Sequence, residues 1–196
     1  NTAYIYANGV GKNSVKENDG GVIADKGKNI DVQAVKNAIK ENEQIDFTLF
    51  SAGSMNLDAV VDSYTDVMQN GNEPKEITIR LVEPALWYCG GNKSDASGLV
   101  QILEDIPDNL KSYVKIELVV GEEHRNDNES AYEGTIKTYT ALTDIQNDNN
   151  KANFAGVELY GVNQTQVSDG ENTYDCTNIE YEAKNNNFIQ EKEDEL

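Results

Sequence analysis

The chain has 196 residues, with 35 Asp and Glu against 16 Lys and Arg, so its formal net charge is −19 at pH 7. A field of this sign repels nucleic-acid phosphates and anionic lipid headgroups and attracts cations, which excludes nucleic acid as a partner. The 38% of hydrophobic residues are enough for a core, but no apolar run approaches the roughly 18 residues of a membrane span, so membrane insertion is excluded too.

Strand and helix patterns alternate through residues 1–121. Residues 3–7 predict a short strand, and a Gly-, Asn- and Lys-rich stretch over residues 8–29 predicts a long loop. The segments that follow are a helix capped by Asp31 that buries Val35, Ala38 and Ile39, a strand over 45–50, a helix over 57–68 stopped by Gly71, a strand over 76–83, a helix over 99–106 and a strand around 114–118. Because these strands alternate in polarity, we expect helices to cover one face of the sheet and the opposite face to be more exposed to solvent.

The pattern changes after residue 121. Residues 135–142, 154–162 and 173–183 are strand-like segments joined by turns of Asn, Asp and Gly, which predicts an antiparallel β meander. The predicted fold is therefore α/β or α+β, a two-layer sandwich formed by the alternating half 1–121 and the β half 122–187, together one compact domain. Residues 188–196 predict an acidic C-terminal tail.

The strand and helix units recur every roughly 31 to 37 residues, which raises a second hypothesis, a short solenoid of strand–helix repeats. Solenoid repeats usually carry a fixed consensus, and no leucine-rich ladder of Leu and Asn is present. The sandwich is the preferred interpretation.

The two cysteines, Cys89 and Cys176, are too few for a disulfide framework or a thiolate metal site. In an oxidising compartment one Cys89–Cys176 disulfide would join the middle of the chain to its last strand region, and the loop-entropy model gives such a bridge about 4 kcal/mol. Two buried free thiols are the alternative.

Three segments, at residues 127–129, 144–149 and 169–171, are dense in side-chain oxygen atoms, which are the ligands of calcium. None has the spacing of an EF-hand. The preferred candidate metal ligands are Asp144, Asn147 and Asp148, because carboxylate and amide groups recur there at short intervals. Solvated turns, expected in so acidic a chain, are the alternative.

Catalytic motifs are weak throughout the sequence. The single histidine, His124, lies in a run of charged residues typical of a solvated loop, and no Gly-x-Ser-x-Gly or phosphate-binding loop occurs. A carboxylate pair for glycoside hydrolysis would start from Glu83, close to the sugar-stacking candidates Trp87 and Tyr88. Its candidate partners are Glu117 and Glu158.

The sequence thus favours a non-enzymatic secreted or cell-surface protein. The start at Asn1 predicts removal of a secretion signal, whereas the sequons at Asn92, Asn128 and Asn163 are no more than composition produces. The leading hypothesis is a structural subunit that assembles into a homo-oligomer through terminal strands, at residues 3–7 and 188–189, with calcium or salt offsetting its charge. The alternatives are a monomeric module that binds a glycan or a surface protein, and the glycoside hydrolase.

Overall fold

The computed structural model describes residues 1–8, 22–23, 30–50, 54–71, 73–84, 97–121, 129–148 and 153–179. The strands are β1 (Thr2–Asn8), β2 (Val22–Ile23), β3 (Gln44–Phe50), β4 (Glu76–Val82), β5 (Val114–Val120), β6 (Gly156–Val162), β7 (Gln166–Ser168), β8 (Thr173–Asp175) and β9 (Thr177–Ile179). The helices are α1 (Val32–Glu41), α2 (Ser54–Gln69), α3 (Ser97–Glu104), α4 (Asp108–Lys111) and α5 (Glu129–Gln146).

A parallel sheet contains all the strands of the described residues except β7 and β8. Its strand order is β2-β1-β3-β4-β5-β6-β9, so from β1 onward the sheet grows in the order of the sequence. The predicted α/β class is confirmed, and the strand–helix repeat hypothesis stays a prediction. The sheet continues across residue 121, because β5 pairs with β6. The division into two halves and a tail stays a prediction.

Local sequence signals explain the helices that were predicted. The Asp31 side chain accepts a hydrogen bond from the backbone nitrogen of Ala34 at 3.0 Å, which satisfies one of the free donors at the start of α1. The end of α2 is followed by Gly71, whose φ of 132° is a conformation that glycine adopts without strain. Both boundaries are where the sequence places them.

The two faces of the sheet differ in chemistry. On one face, alternate strand residues such as Ile5, Phe47, Ile79 and Ile116 pack with the apolar sides of α1, α2, α3 and α5 in one buried core. This burial is the dominant stabilising term of the fold. The other face carries polar and aromatic side chains on the alternate positions, as the strand periodicity predicts.

The predicted antiparallel meander is wrong. Residues 135–142 lie within α5, and β6 and β9 join the main sheet in parallel, so that in the described segments only β7 and β8 pair antiparallel. The segment resembles a strand because it is rich in threonine, a β-branched residue. In the helix the hydroxyl groups of Thr138 and Thr143 donate to the carbonyl oxygens of Gly134 and Thr140, which satisfies them locally.

Gly161 in β6 is expected to tolerate no side chain. A Cβ atom there would lie 2.5 Å from Cγ of Gln164 and 2.8 Å from Sγ of Cys176. We expect Gly161→Ala to lower the free energy of unfolding by about 2 kcal/mol, because the turn after β6 must move. Urea denaturation measures this change. Gly156→Ala in the same strand is the control, since its nearest atoms lie at 3.6 Å or more, and an equal loss in both variants would contradict the prediction.

Candidate ligand-binding face of the sheet

The polar side chains on the face of the sheet opposite the helices form a group that we call the polar face. Tyr4 is exposed and the Lys115 and Glu158 side chains are partly exposed, whereas Tyr6, Thr48 and Glu117 are buried. Register places its members in two adjacent rows that cross five strands from β1 to β6. The polar face comprises Tyr4, Asp46, Thr78 and Lys115 in one row, Tyr6, Thr48, Arg80, Glu117 and Glu158 in the next, and Tyr160 beyond them. Four inter-strand steps of about 4.8 Å give it a width of about 19 Å.

Arg80 is the centre of the polar face. Its guanidinium donates to Oδ1 of Asp46 at 2.9 Å, to Oγ1 of Thr48 at 2.8 Å and to Oε1 of Glu117 at 3.1 Å and 3.2 Å. Burial opposes the charged form of Arg80, but the two carboxylates outweigh that effect and raise its pKa. Arg80 therefore ties three adjacent strands together through side chains.

A second polar group occupies the β5–β6 side of the polar face. Nζ of Lys115 lies 3.5 Å from Oε1 of Glu158 and 4.0 Å from Oε2 of Glu117. The hydroxyl of Tyr160 donates to Oε2 of Glu158, and burial together with this hydrogen bond raises the pKa of Tyr160. The hydroxyl of Tyr160 thus stays protonated. The side chains of Lys115 and Glu158 are 42% and 41% exposed, so a ligand can reach them.

Two tyrosines form the opposite side of the polar face. The rings of Tyr4 and Tyr6 are stacked, with centroids 6.4 Å apart and an interplanar angle of 22°. Tyr6 is buried, whereas Tyr4 is 37% exposed. The ring of Tyr4 is therefore an exposed aromatic surface, backed by Tyr6, on which a ligand ring can pack.

Near the carboxyl ends of the strands, the polar face ends at an apolar cluster. Phe50, Val82, Val119 and Val162 are buried together there and contact Tyr160 and Ile179. The exposed polar groups are thereby confined to the amino-terminal and middle parts of the strands.

The structure brings together two of the three carboxylates considered for hydrolysis. Glu117 and Glu158 are register partners on β5 and β6. Glu83 is not in their row: Arg80 is the β4 partner of Glu117, and Glu83 follows three residues later, about 10 Å along the strand. Trp87 and Tyr88 lie outside the described residues. Asp46 and Arg80 were not predicted as site residues, although each is a charged residue at a polar position of an alternating strand.

The predicted calcium ligands lie at the end of α5. Asp144 is exposed in its last turn, and Asn147 and Asp148 follow the helix, their backbone nitrogens donating to Thr143 and Ile145. Within the described segments no group of three or more His, Cys, Asp or Glu side chains is arranged to hold a metal ion. Calcium binding by these residues stays a prediction.

Other predicted features are described only in part. Cys89, His124, Asn92 and Asn128 lie outside the described residues, so the Cys89–Cys176 disulfide stays a prediction. Asn163, the third sequon, is exposed in the turn after β6. None of the described helices combines the length and the hydropathy that a membrane-spanning helix requires.

The thiol of Cys176 is expected to react slowly. Burial and the neighbouring carboxylate of Asp175 raise its pKa, and the thiolate is the reactive form. In reduced protein we expect alkylation of Cys176 by iodoacetamide at pH 7.5 to be at least about 10-fold slower than in urea, and to accelerate with pH. Peptide mass spectrometry measures both rates. Equal rates in the folded and unfolded chains would contradict this expectation.

No known protein-family model matches the sequence, and comparisons with curated protein sequences and with solved structures find no similar protein. What the protein binds is therefore inferred from the chemistry of the polar face.

Proposed function

We propose that the protein is a non-enzymatic extracellular binding module that binds a neutral glycan chain on the polar face. The observation that carries this proposal is the combination of an exposed, supported aromatic ring at Tyr4 with polar groups in two rows across five strands. Sugar rings pack on aromatic faces and accept and donate hydrogen bonds through their hydroxyl groups.

The charges of the polar face favour a neutral ligand. Arg80 is paired with Asp46 and Glu117, and Lys115 with Glu158, so these five groups together carry a charge of only −1. A strongly charged ligand would have to break these pairs, and an anionic ligand would also meet the overall charge of −19. The acidic, Asn-rich composition supports an extracellular location for such a module.

Neutral glycans presented on an array, followed by calorimetry with the best ligand, test the proposal. We expect Tyr4→Ser to weaken binding about 10-fold, because an aromatic stacking contact contributes about 1.5 kcal/mol. Val32→Ser is the matched control, since Val32 is an equally exposed apolar residue on α1. The absence of any glycan ligand, or equal affinity in the two variants, would contradict the proposal.

Self-assembly is the second candidate function. β9 pairs with only the last three residues of β6, Tyr160–Val162, so in the described part of the chain the outer edge of Gly156–Leu159 has no strand partner. Such an edge is suited to pairing with another copy of the chain. Sedimentation velocity with and without millimolar calcium, at low and moderate salt, separates the candidates: growth into large species favours assembly, and a constant monomer favours the binding module.

A further inference from the structure

A groove lies between α1 and α2, on the opposite side of the sheet from the polar face. It encloses about 660 Å³ and is lined by residues of both helices. Two of the lining side chains are exposed and apolar, Val32 at 42% and Met55 at 66%. Methionine is a flexible, polarizable side chain that adapts to partner surfaces.

One wall of the groove is acidic. Asp58, Asp62 and Asp66 follow one another at four-residue spacing along α2, so they lie on one side of the helix, about 6 Å apart. Lys36 of α1 reaches Asp66 at 3.0 Å, whereas in the described part of the chain Asp58 and Asp62 have no basic partner. Burial and the charge of Asp58 raise the pKa of Asp62, as expected for like charges held together.

We propose that the α1–α2 groove binds a cationic amphipathic helix of a partner protein. The apolar side chains at Val32 and Met55 would take the apolar side of that helix, and the carboxylates of Asp58 and Asp62 would take Lys or Arg residues at four-residue spacing. This is the helix-in-groove mode of recognition, with charge complementarity setting the orientation. It is independent of glycan binding, because none of these residues belongs to the polar face.

A synthetic helical peptide tests this inference. The probe is a fluorescein-labelled amphipathic peptide of about 14 residues, roughly 21 Å long as a helix, with Leu on one side and Lys at i, i+4 and i+8. Fluorescence anisotropy measures its affinity for the whole chain. We expect saturable binding at least about 10-fold tighter than that of a scrambled peptide of identical composition.

Variants locate the binding site. We expect Met55→Ser to weaken binding about 5-fold, because an apolar contact is lost. We expect Asp62→Asn to weaken binding about 2- to 5-fold, which is the usual contribution of an exposed ion pair. Asp105→Asn removes the same charge from an exposed position just after α3 that does not line the groove, and it is expected to leave the affinity unchanged. Equal binding of the scrambled peptide, an equal loss in Asp105→Asn, or no saturable binding would overturn the proposal. Thermal melting of each variant confirms that it folds.

Discussion

Replacement of Arg80 by alanine is expected to lower the free energy of unfolding by about 3 kcal/mol. The change removes the cation that Asp46 pairs with and leaves Glu117 only its longer, 4.0 Å contact with Lys115. Removing one partner of a largely buried ion pair costs about 3 to 5 kcal/mol. Arg80 is 22% exposed and Glu117 only 12%, so we take the lower end of that range. Chemical denaturation in urea measures the loss.

Two further variants isolate the electrostatic cause. Lys36→Ala breaks the more exposed pair with Asp66 and is expected to cost less than about 1 kcal/mol. The triple variant Arg80→Met, Asp46→Asn, Glu117→Gln removes all three charges, and we expect it to recover most of the lost stability because no carboxylate remains without a partner. A loss in Arg80→Ala no larger than that in Lys36→Ala would show that the network does not stabilise the sheet.

Tyr64→Ala is expected to cost about 4 kcal/mol. Tyr64 is 1% exposed in the core between α2 and the sheet, and large-to-small changes of a buried aromatic residue remove its burial and leave a cavity. Its hydroxyl also donates to the carbonyl oxygen of Lys75 at 2.5 Å. Lys75 in turn donates through Nζ to the carbonyl oxygens of Ile39 and Lys40 at the end of α1, so Tyr64 helps to join α1, α2 and β4.

Tyr64→Phe separates packing from hydrogen bonding. It keeps the ring and is expected to cost about 1 kcal/mol at pH 7, the usual net contribution of one hydrogen bond. Thermal and urea denaturation of both variants give the two values. Similar losses in Tyr64→Ala and Tyr64→Phe would contradict the argument that the buried ring is the larger contribution.

The buried hydroxyl of Tyr64 also predicts that stability depends on pH. Burial, then the neighbouring Tyr113 and Glu76, raise the pKa of Tyr64 above its ordinary value of 10.0. Above pH 10 the unfolded chain loses this proton while the folded chain keeps it, so the stabilisation present below pH 10 decreases as the pH rises. Tyr64→Phe lacks this group, and its stability is expected to fall less steeply than that of the wild type between pH 10 and 11. Parallel slopes would contradict the prediction.

Regular periodicity accounts for what the sequence predicted correctly. The strands β1, β3, β4 and β5 alternate in polarity, and α1 and α2 carry apolar residues at helical spacing with a clear cap or stop. The prediction of a strand over residues 135–142 was wrong because α5 contains many threonines, which favour strands. The helix is stabilised by the packing of Ile136 and Leu142 in the core. Propensity is a weak guide where tertiary contacts decide.

The pattern of a single strand cannot predict which residues meet on the polar face. Asp46, Arg80 and Glu117 are 34 and 37 residues apart in the chain, and only the strand order and register bring them together. Alternation predicts which face each residue occupies, but a one-residue change in register would reverse that face. The sequence therefore indicated candidate polar positions, such as Glu117 and Glu158, without indicating which of them meet.

Amide NMR of the isotope-labelled protein, titrated with the neutral glycan that binds best, tests the central claim most directly. If the polar face binds glycans, the chemical-shift changes should concentrate at Tyr4, Asp46, Lys115 and Glu158 and their strand neighbours, and α1 and α2 should be unaffected. Changes confined to the helical side of the sheet, or no changes at saturating glycan, would contradict it.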